Sequence, residues 1–224
     1  GGGDLLLYIG KTDAFDEHGR LLKLGRLRIH FSHDPFAKAA AFRQELDLTN
    51  GCVRLHSTLG TRHSTFLVWV DANQPVVRLQ TTSLGTLVLS PYVELWRKQR
   101  RELKGAEAHS AYGMDGGPEP ILVEPDTELA ARHGKLVWYH RNTRSVYPIC
   151  LTNQNLQALA GKFPDPLLNL TFGASLGGDG FVRDGAQAIR SAAPAKRHVI
   201  SATVLSAKTD TPDAWLSQLD ALAK

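Results

Sequence analysis

Glu45-Leu46-Asp47-Leu48-Thr49-Asn50-Gly51-Cys52-Val53-Arg54-Leu55 is the stretch whose reading decides the fold class. Asn-Gly supplies the two positive-φ residues of a type I′ turn, the tightest link between antiparallel strands. With Asn50-Gly51 as a two-residue loop, Thr49 faces Cys52, Leu48 faces Val53, Asp47 faces Arg54 and Leu46 faces Leu55. That register gathers the large aliphatics on one face. It sets Asp47 against Arg54 on the other, a cross-strand ion pair of about 0.2–1 kcal/mol. Turn chemistry and binary pattern agree on a β-hairpin.

The same period-two pattern extends in both directions. Leu27, Ile29 and Phe31 alternate with Arg26, Arg28 and His30, and Phe66, Val68 and Val70 with Leu67, Trp69 and Asp71. A turn over 71–75 leads to a returning strand over Val76 to Thr82, and Leu84-Gly85 separates it from Thr86 to Ser90. Shorter strand patterns run through Leu5 to Gly10, Leu136 to Tyr139 and His198 to Ala207. Turn signals at this spacing indicate an antiparallel sandwich or barrel. Tyr92 to Leu103 fits a helix, with Tyr92, Leu95 or Trp96, and Leu103 on one face. It fits equally a strand with Val93 and Leu95 inward. Gly105 to Arg132 lacks periodicity and reads as a long loop, and so does the glycine-dense run from Gly173 to Gly185. A short helix capped by Asn153 is expected through Lys162, stopped by Pro164-Asp165-Pro166. The tail reads as a helix. Thr211 is its cap, Pro212 its first residue and Asp213 complements its dipole, with an apolar stripe of Trp215, Leu219 and Leu222.

The chain has 224 residues, and its 42% hydrophobic and 21% charged content suit a globular domain. A net charge of +4 with no nucleic-acid-reading motif implies no nucleic-acid partner. No apolar run approaches the roughly 18 residues that span a membrane, so no membrane partner is expected either. The chain opens Gly1-Gly2-Gly3-Asp4 without an initiator Met and enters Leu5-Leu6-Leu7-Tyr8-Ile9 at once. The expectation is a piece of a longer protein, with any targeting signal outside it.

Signals for chemistry are sparse. Gly10-Lys11-Thr12 lacks the upstream glycine of a phosphate-binding loop, and Gly177-Gly178-Asp179-Gly180 follows no dinucleotide fingerprint, so no cofactor is expected. Glu128, His133 and His140 match no HExxH spacing, and no metal is expected from them. Cys52 and Cys150 are too far apart in sequence for a CxxC; they read as small buried residues, or as a disulfide in an oxidising compartment. Asp13, Asp16 and Glu17 form an acidic cluster that suits turn formation better than glycosidic acid–base work. Trp138-Tyr139-His140-Arg141-Asn142 is the most site-like run, since aromatic faces stack on sugar rings and His, Arg and Asn supply hydrogen bonds. The competing reading is a strand end with Trp138 in the core.

Several stretches together go further. They are Asp4 to Asp16, Leu22 to Arg26, Phe42 to Leu48, Val70 to Asn73, Val93 to Arg97, Val137 to Asn142 and Phe163 to Asn169. In this order they resemble the N-terminal domain, of unknown function, of large bacterial glycoside-hydrolase-like proteins akin to the family 95 fucosidase group. The resemblance implies an all-β, mostly antiparallel β-sandwich (a super-sandwich) with a few short helices, spanning 1–208. A helical linker over 209–224 would lead to an (α/α)₆ catalytic barrel outside this chain. It also favours the strand reading of Tyr92 to Lys98, and it implies a periplasmic or extracellular location.

The resulting expectation is a non-catalytic accessory domain that carries no catalytic residue of its own. Its partners would be the C-terminal catalytic domain of the parent chain and an oligo- or polysaccharide. Trp138, His140, Arg141, Asn142, Trp96, Asp13 and Asp16 are the candidate carbohydrate or interdomain contacts. An independent carbohydrate-binding module is the first alternative. A self-contained enzyme using Asp13, Asp16, His140 and Arg141 is the second.

Overall fold

The structure is a computed structural model that describes residues 3–36 and 39–223; the Gly1-Gly2 start and the Lys224 end lie outside them. In chain order the elements are β1 (Leu5–Phe15), β2 (Leu21–Phe31), β3 (Ala41–Asp47), β4 (Cys52–Leu59), β5 (Arg62–Val70), β6 (Val76–Leu87) and β7 (Leu89–Glu94). Then come β8 (Arg101–Glu102), β9 (Leu122–Val123), β10 (Thr127–Arg132), β11 (Lys135–Arg141), α1 (Tyr147–Asn153) and β12 (Leu170–Gly177). The chain ends with β13 (Phe181–Arg183), β14 (Ile189–Ser191), β15 (Ala195–Lys208) and α2 (Pro212–Leu222). Short 3₁₀ turns occupy Gly105–Ser110 and Gln157–Leu159.

The protein is an antiparallel β-sandwich. An eight-stranded sheet in the order β10-β11-β12-β15-β6-β5-β4-β3 faces a three-stranded sheet in the order β1-β2-β7. Strand alternation produces the core directly. Leu27, Ile29 and Phe31 of β2 point inward while Arg26 and His30 face out. Leu27 joins Ile9, Val93, Trp138, Phe172 and Leu176 in one buried cluster. Ile29 and Phe31 join Leu55, Phe66, Leu79, Leu89 and Ile200 in a second. Only Tyr92 to Glu94 of the 92–98 stretch is strand, as the end of β7; Leu95 to Lys98 leave the sheet, with Val93 and Leu95 buried and Trp96 exposed.

The hairpin at 45–55 forms, but in another register. Asp47 pairs with Cys52, Leu46 with Val53 and Glu45 with Arg54. The loop therefore has four residues, and only Gly51 has positive φ, at 63°. The Asp47 carboxylate is the cause: it accepts the Asn50 backbone N–H at 3.0 Å and its Nδ2 at 2.8 Å, closing the turn before a two-residue loop can form. Leu46 on the edge strand and Leu48 in the loop consequently face solvent. Arg54 still reaches Asp47 diagonally, at 3.3 Å. The two-residue loop with both φ values positive lies elsewhere, at His133 (φ 51°) and Gly134 (φ 74°), where Arg132 pairs with Lys135. It joins β10, which lies inside what the sequence presents as featureless loop, to β11.

The other differences share a theme. The expected loop over 173–185 begins as β12, a central strand. At Gly173 the neighbouring backbone comes so close that a Cβ would sit 2.2 Å from the Trp138 carbonyl oxygen. Glycine here permits sheet packing rather than a turn. Asn153 ends helix α1 instead of capping a helix through Lys162. Helix α2 forms as expected, with the Thr211 hydroxyl accepting Ala214 N–H at 3.2 Å. Its stripe is used within this chain: Trp215, Leu216 and Leu219 pack on Val137 and Tyr139 of β11. Cys52 is buried, Cys150 half-buried, and both are free thiols. Among the described residues no helix is long and apolar enough to cross a membrane.

Candidate functional site

The densest chemistry lies inside the sandwich, under the turn between β1 and β2. Asp16 builds that turn. Its Oδ1 accepts the backbone N–H groups of His18 (3.1 Å) and Arg20 (2.9 Å), and its Oδ2 accepts Arg20 Nε at 2.7 Å. Asx-type bonding of this kind is what Asp does in turns. The unusual feature is burial: Asp16 is 2% exposed, Glu17 6%, His18 5% and Arg20 8%. Residues 97–126 form an excursion closed at its neck, where Arg97 Nε donates to Asp126 Oδ1 at 2.7 Å and Asp126 N–H donates to Arg97 O at 2.8 Å. From β11, His140 enters the same region. Its Nδ1 stands 3.2 Å from Asp126 Oδ1 and its Nε2 3.6 Å from Glu17 Oε2.

Electrostatics follow from these contacts. Burial alone would raise the Asp16 carboxyl, but His18 beside it and the Arg20 guanidinium and N–H outweigh burial and hold it below the ordinary aspartate value. Burial likewise opposes the His140 imidazolium, yet Asp126 and Glu17 overcome it and raise the group above the ordinary histidine value. Arg20 balances Asp16 and Arg97 balances Asp126, so the interior carries matched pairs with Glu17 left facing His140.

The expected site residues therefore scatter. Asp16 and His140 come together through Glu17. Asp13 stays at the surface in an ion pair with Lys11 at 2.5 Å. Trp138 is 2% exposed, and its Nε1 donates to Leu24 O at 2.7 Å, bridging the two sheets. Asn142 is wholly buried and donates to Phe15 O and Leu167 O. Arg141 clamps the junction between β15 and α2 through Asn169, Thr171, Thr209 and Asp210. Trp96 alone among the aromatics on that list is open, 49% exposed and stacked on Tyr8 with ring centroids 6.1 Å apart and planes 14° from parallel. Arg26 lies over the Tyr8 ring and pairs with Glu94, which Arg28 also holds.

His18, Arg20, Arg97 and Asp126 carry no sequence signal strong enough to single them out. For His18 and Arg20 the trace is the charge density of Asp16-Glu17-His18-Gly19-Arg20, which reads as a solvated turn until its burial is known.

One concavity lies away from this network. It is a groove of about 580 Å³ beside the C-terminal end of α2, lined among others by Arg78, Lys135, Arg197, Ser175 and Ser201. Among the described residues, Asp179 is the only carboxylate side chain in that lining.

Comparison with known proteins yields one family. A family model described as "Domain of unknown function (DUF5703)" matches residues 1–224. No curated protein matches the chain.

Proposed function

The chain belongs to the family described as domain of unknown function (DUF5703), and from that premise we propose that it is a non-catalytic accessory β-sandwich of a multidomain bacterial glycoside hydrolase. In this reading it braces an (α/α)₆ catalytic barrel, contributes to the substrate cleft, and works in the periplasm or outside the cell. The observation that carries the non-catalytic part is the lining of the groove. Acid–base cleavage of a glycosidic bond generally uses two carboxyl groups about 5–9.5 Å apart across an open cleft. The groove offers Asp179 alone, Asp16 and Glu17 are buried, and Asp13 is tied to Lys11. The resemblance to the family 95 fucosidase group supports the rest, because there the catalytic carboxylates belong to the barrel.

A panel of aryl glycosides tests this reading. The isolated chain is expected to show no turnover. Hydrolysis abolished by Asp13→Asn or Asp16→Asn would establish the self-contained enzyme instead. One observation favours a second reading, an independent carbohydrate-binding module: the exposed, nearly parallel Tyr8–Trp96 pair with charged neighbours is a platform on which a sugar ring can stack. Calorimetry against plant, algal and host glycans separates the two. A bracing domain gives no heat, whereas heat lost in Trp96→Ala identifies a binding module.

A further inference from the structure

The outer face of the eight-stranded sheet carries a row of residues that bracing does not require. Arg78 of β6 pairs with Ser201 of β15, and Ser201 with Gly177 of β12. Lys135 of β11 completes the row, because Leu136 pairs with Leu176 one step along. Leu136, Leu176, Ala202 and Leu79 belong to the core, so alternation turns Lys135, Ser201 and Arg78 to the opposite face. The strand order β11-β12-β15-β6 sets the backbones of the two cations three strand spacings apart, about 14 Å. Ser175 and Thr203 pair in the next row. Gly177 keeps the floor open: a Cβ there would meet Lys135 Cγ at 2.8 Å. These residues line the groove of about 580 Å³, which Leu222 and Ala223 at the end of α2 also border.

We propose that this groove binds an acidic oligosaccharide, with its carboxylate or sulfate groups on Arg78, Lys135 and Arg197 and its hydroxyls on the floor between them. The proposal rests on the accessory reading and adds to it a direct contact with substrate. Among the described residues, Lys135 and Arg197 have no carboxylate partner. Lys135 Nζ donates to the Ala223 carbonyl, and Arg197 Nη2 donates to Gln80 Oε1 at 2.8 Å. Arg78 stands 3.6 Å from Asp71 and donates to Ser201 Oγ at 3.3 Å. Against these three cations the described lining sets one carboxylate, Asp179. Ser175 is 3% exposed and its hydroxyl has no partner, a state that buried polar groups rarely keep. Cations at separate ends of a floor suit charges spaced along a chain better than a single phosphate, and the arginine fork matches paired oxyanion oxygens. Nucleic-acid bases would find no stacking platform. Phe181 is the one phenylalanine, tyrosine or tryptophan in the described lining, and its ring is engaged edge-on with His198. The floor of Gly177, Ser201, Ser175 and Thr203 offers hydroxyls to a sugar rather than apolar pockets to the anchoring side chains of a peptide.

The test titrates the 224-residue chain by calorimetry with dextran sulfate, neutral dextran of the same length, oligogalacturonate and polyglutamate. At least one acidic saccharide should bind; oligogalacturonate alone identifies a carboxylate ligand and dextran sulfate alone a sulfate one. Neutral dextran and polyglutamate should bind at least about tenfold more weakly, and added salt should weaken the acidic saccharide by screening. Arg78→Gln and Arg197→Gln should each cost about tenfold or more in affinity, as expected for a lost hydrogen bond between charged groups. Arg43→Gln, at an exposed arginine on the edge strand β3, should leave binding unchanged. Heat that survives Trp96→Ala but not Arg197→Gln places the saccharide in the groove and not on the Tyr8–Trp96 pair. Arg197 is exposed, so its variant decides the matter should Arg78→Gln fail to fold by circular dichroism. The proposal is overturned if neither acidic saccharide binds, if neutral dextran or polyglutamate binds as tightly, or if Arg197→Gln binds as the wild type does. Those outcomes leave the accessory reading standing, whereas turnover of aryl glycosides would sink that reading and leave the binding result untouched.

Discussion

Truncating Trp215 to alanine measures whether α2 is part of the sandwich or an appendage. Trp215 is fully buried, and its ring lies 5.3 Å from that of Tyr139. Removing a buried tryptophan costs about 3–5 kcal/mol. Its Nε1 has no partner, so some of that burial is already uncompensated and the loss should fall near the lower end, about 3 kcal/mol. Other contacts hold the helix as well: Arg132 pairs with Asp220 at 2.6 Å, and Lys135 Nζ donates to Ala223 O, a favourable position for a cation at a helix C-terminus. Urea unfolding followed by far-UV circular dichroism reads the effect. With a slope of about 1–3 kcal/mol per molar urea, the midpoint should fall by about 1–3 M with the slope unchanged. Trp215→Phe should lose less. A midpoint unmoved by Trp215→Ala would refute the docking of α2 on β11. A reduced slope would mean instead that the variant helix is already undocked in the native state.

Three further outcomes are expected. Gly173→Ala would press a methyl into the β11 backbone and should cost about 3 kcal/mol or more, lowering the melting temperature by at least about 6 °C; Gly85→Ala, in open space, is the control. Trp138→Phe leaves the Leu24 carbonyl without its 2.7 Å donor and should cost about 1–3 kcal/mol in chemical denaturation. Burial raises the Glu94 carboxyl, but Arg26 and Arg28 outweigh it and hold the group below its ordinary 4.5. Its contribution to stability is thus complete above that value and lost as pH falls through the lower folded value. Glu94→Gln should flatten that acid limb in a stability–pH profile, and an unchanged limb would place the acid sensitivity elsewhere.

Strand content was legible because hydrophobic alternation is a local property. Leu27, Ile29 and Phe31 announce their inward face whatever they pack on. The cap at Thr211 was legible for the same reason, since its hydroxyl and the N–H it satisfies are three residues apart. Turn register was less so. Asn50-Gly51 has the composition of a two-residue turn, but the hydrogen bond that Asn50 N–H donates to Asp47, a residue outside that window, lengthened the loop. Glycine was ambiguous for a deeper reason. Gly173 is needed by the close approach of another strand, and nothing near it in sequence reveals that approach.

The candidate site shows the same division more sharply. From the sequence alone came an antiparallel β architecture, the terminal helix and the list of side chains able to do chemistry, because composition, period and capping are written within a few residues. Tertiary structure decided which of those side chains meet. Trp138 looked like a sugar platform until its indole was found donating to Leu24, 114 residues away. Asp16, Glu17 and His18 read as an exposed turn until the fold buried them and β11 brought His140 alongside Glu17. Burial converts a solvated charge into one that must find a partner, and burial depends on segments far apart in the chain.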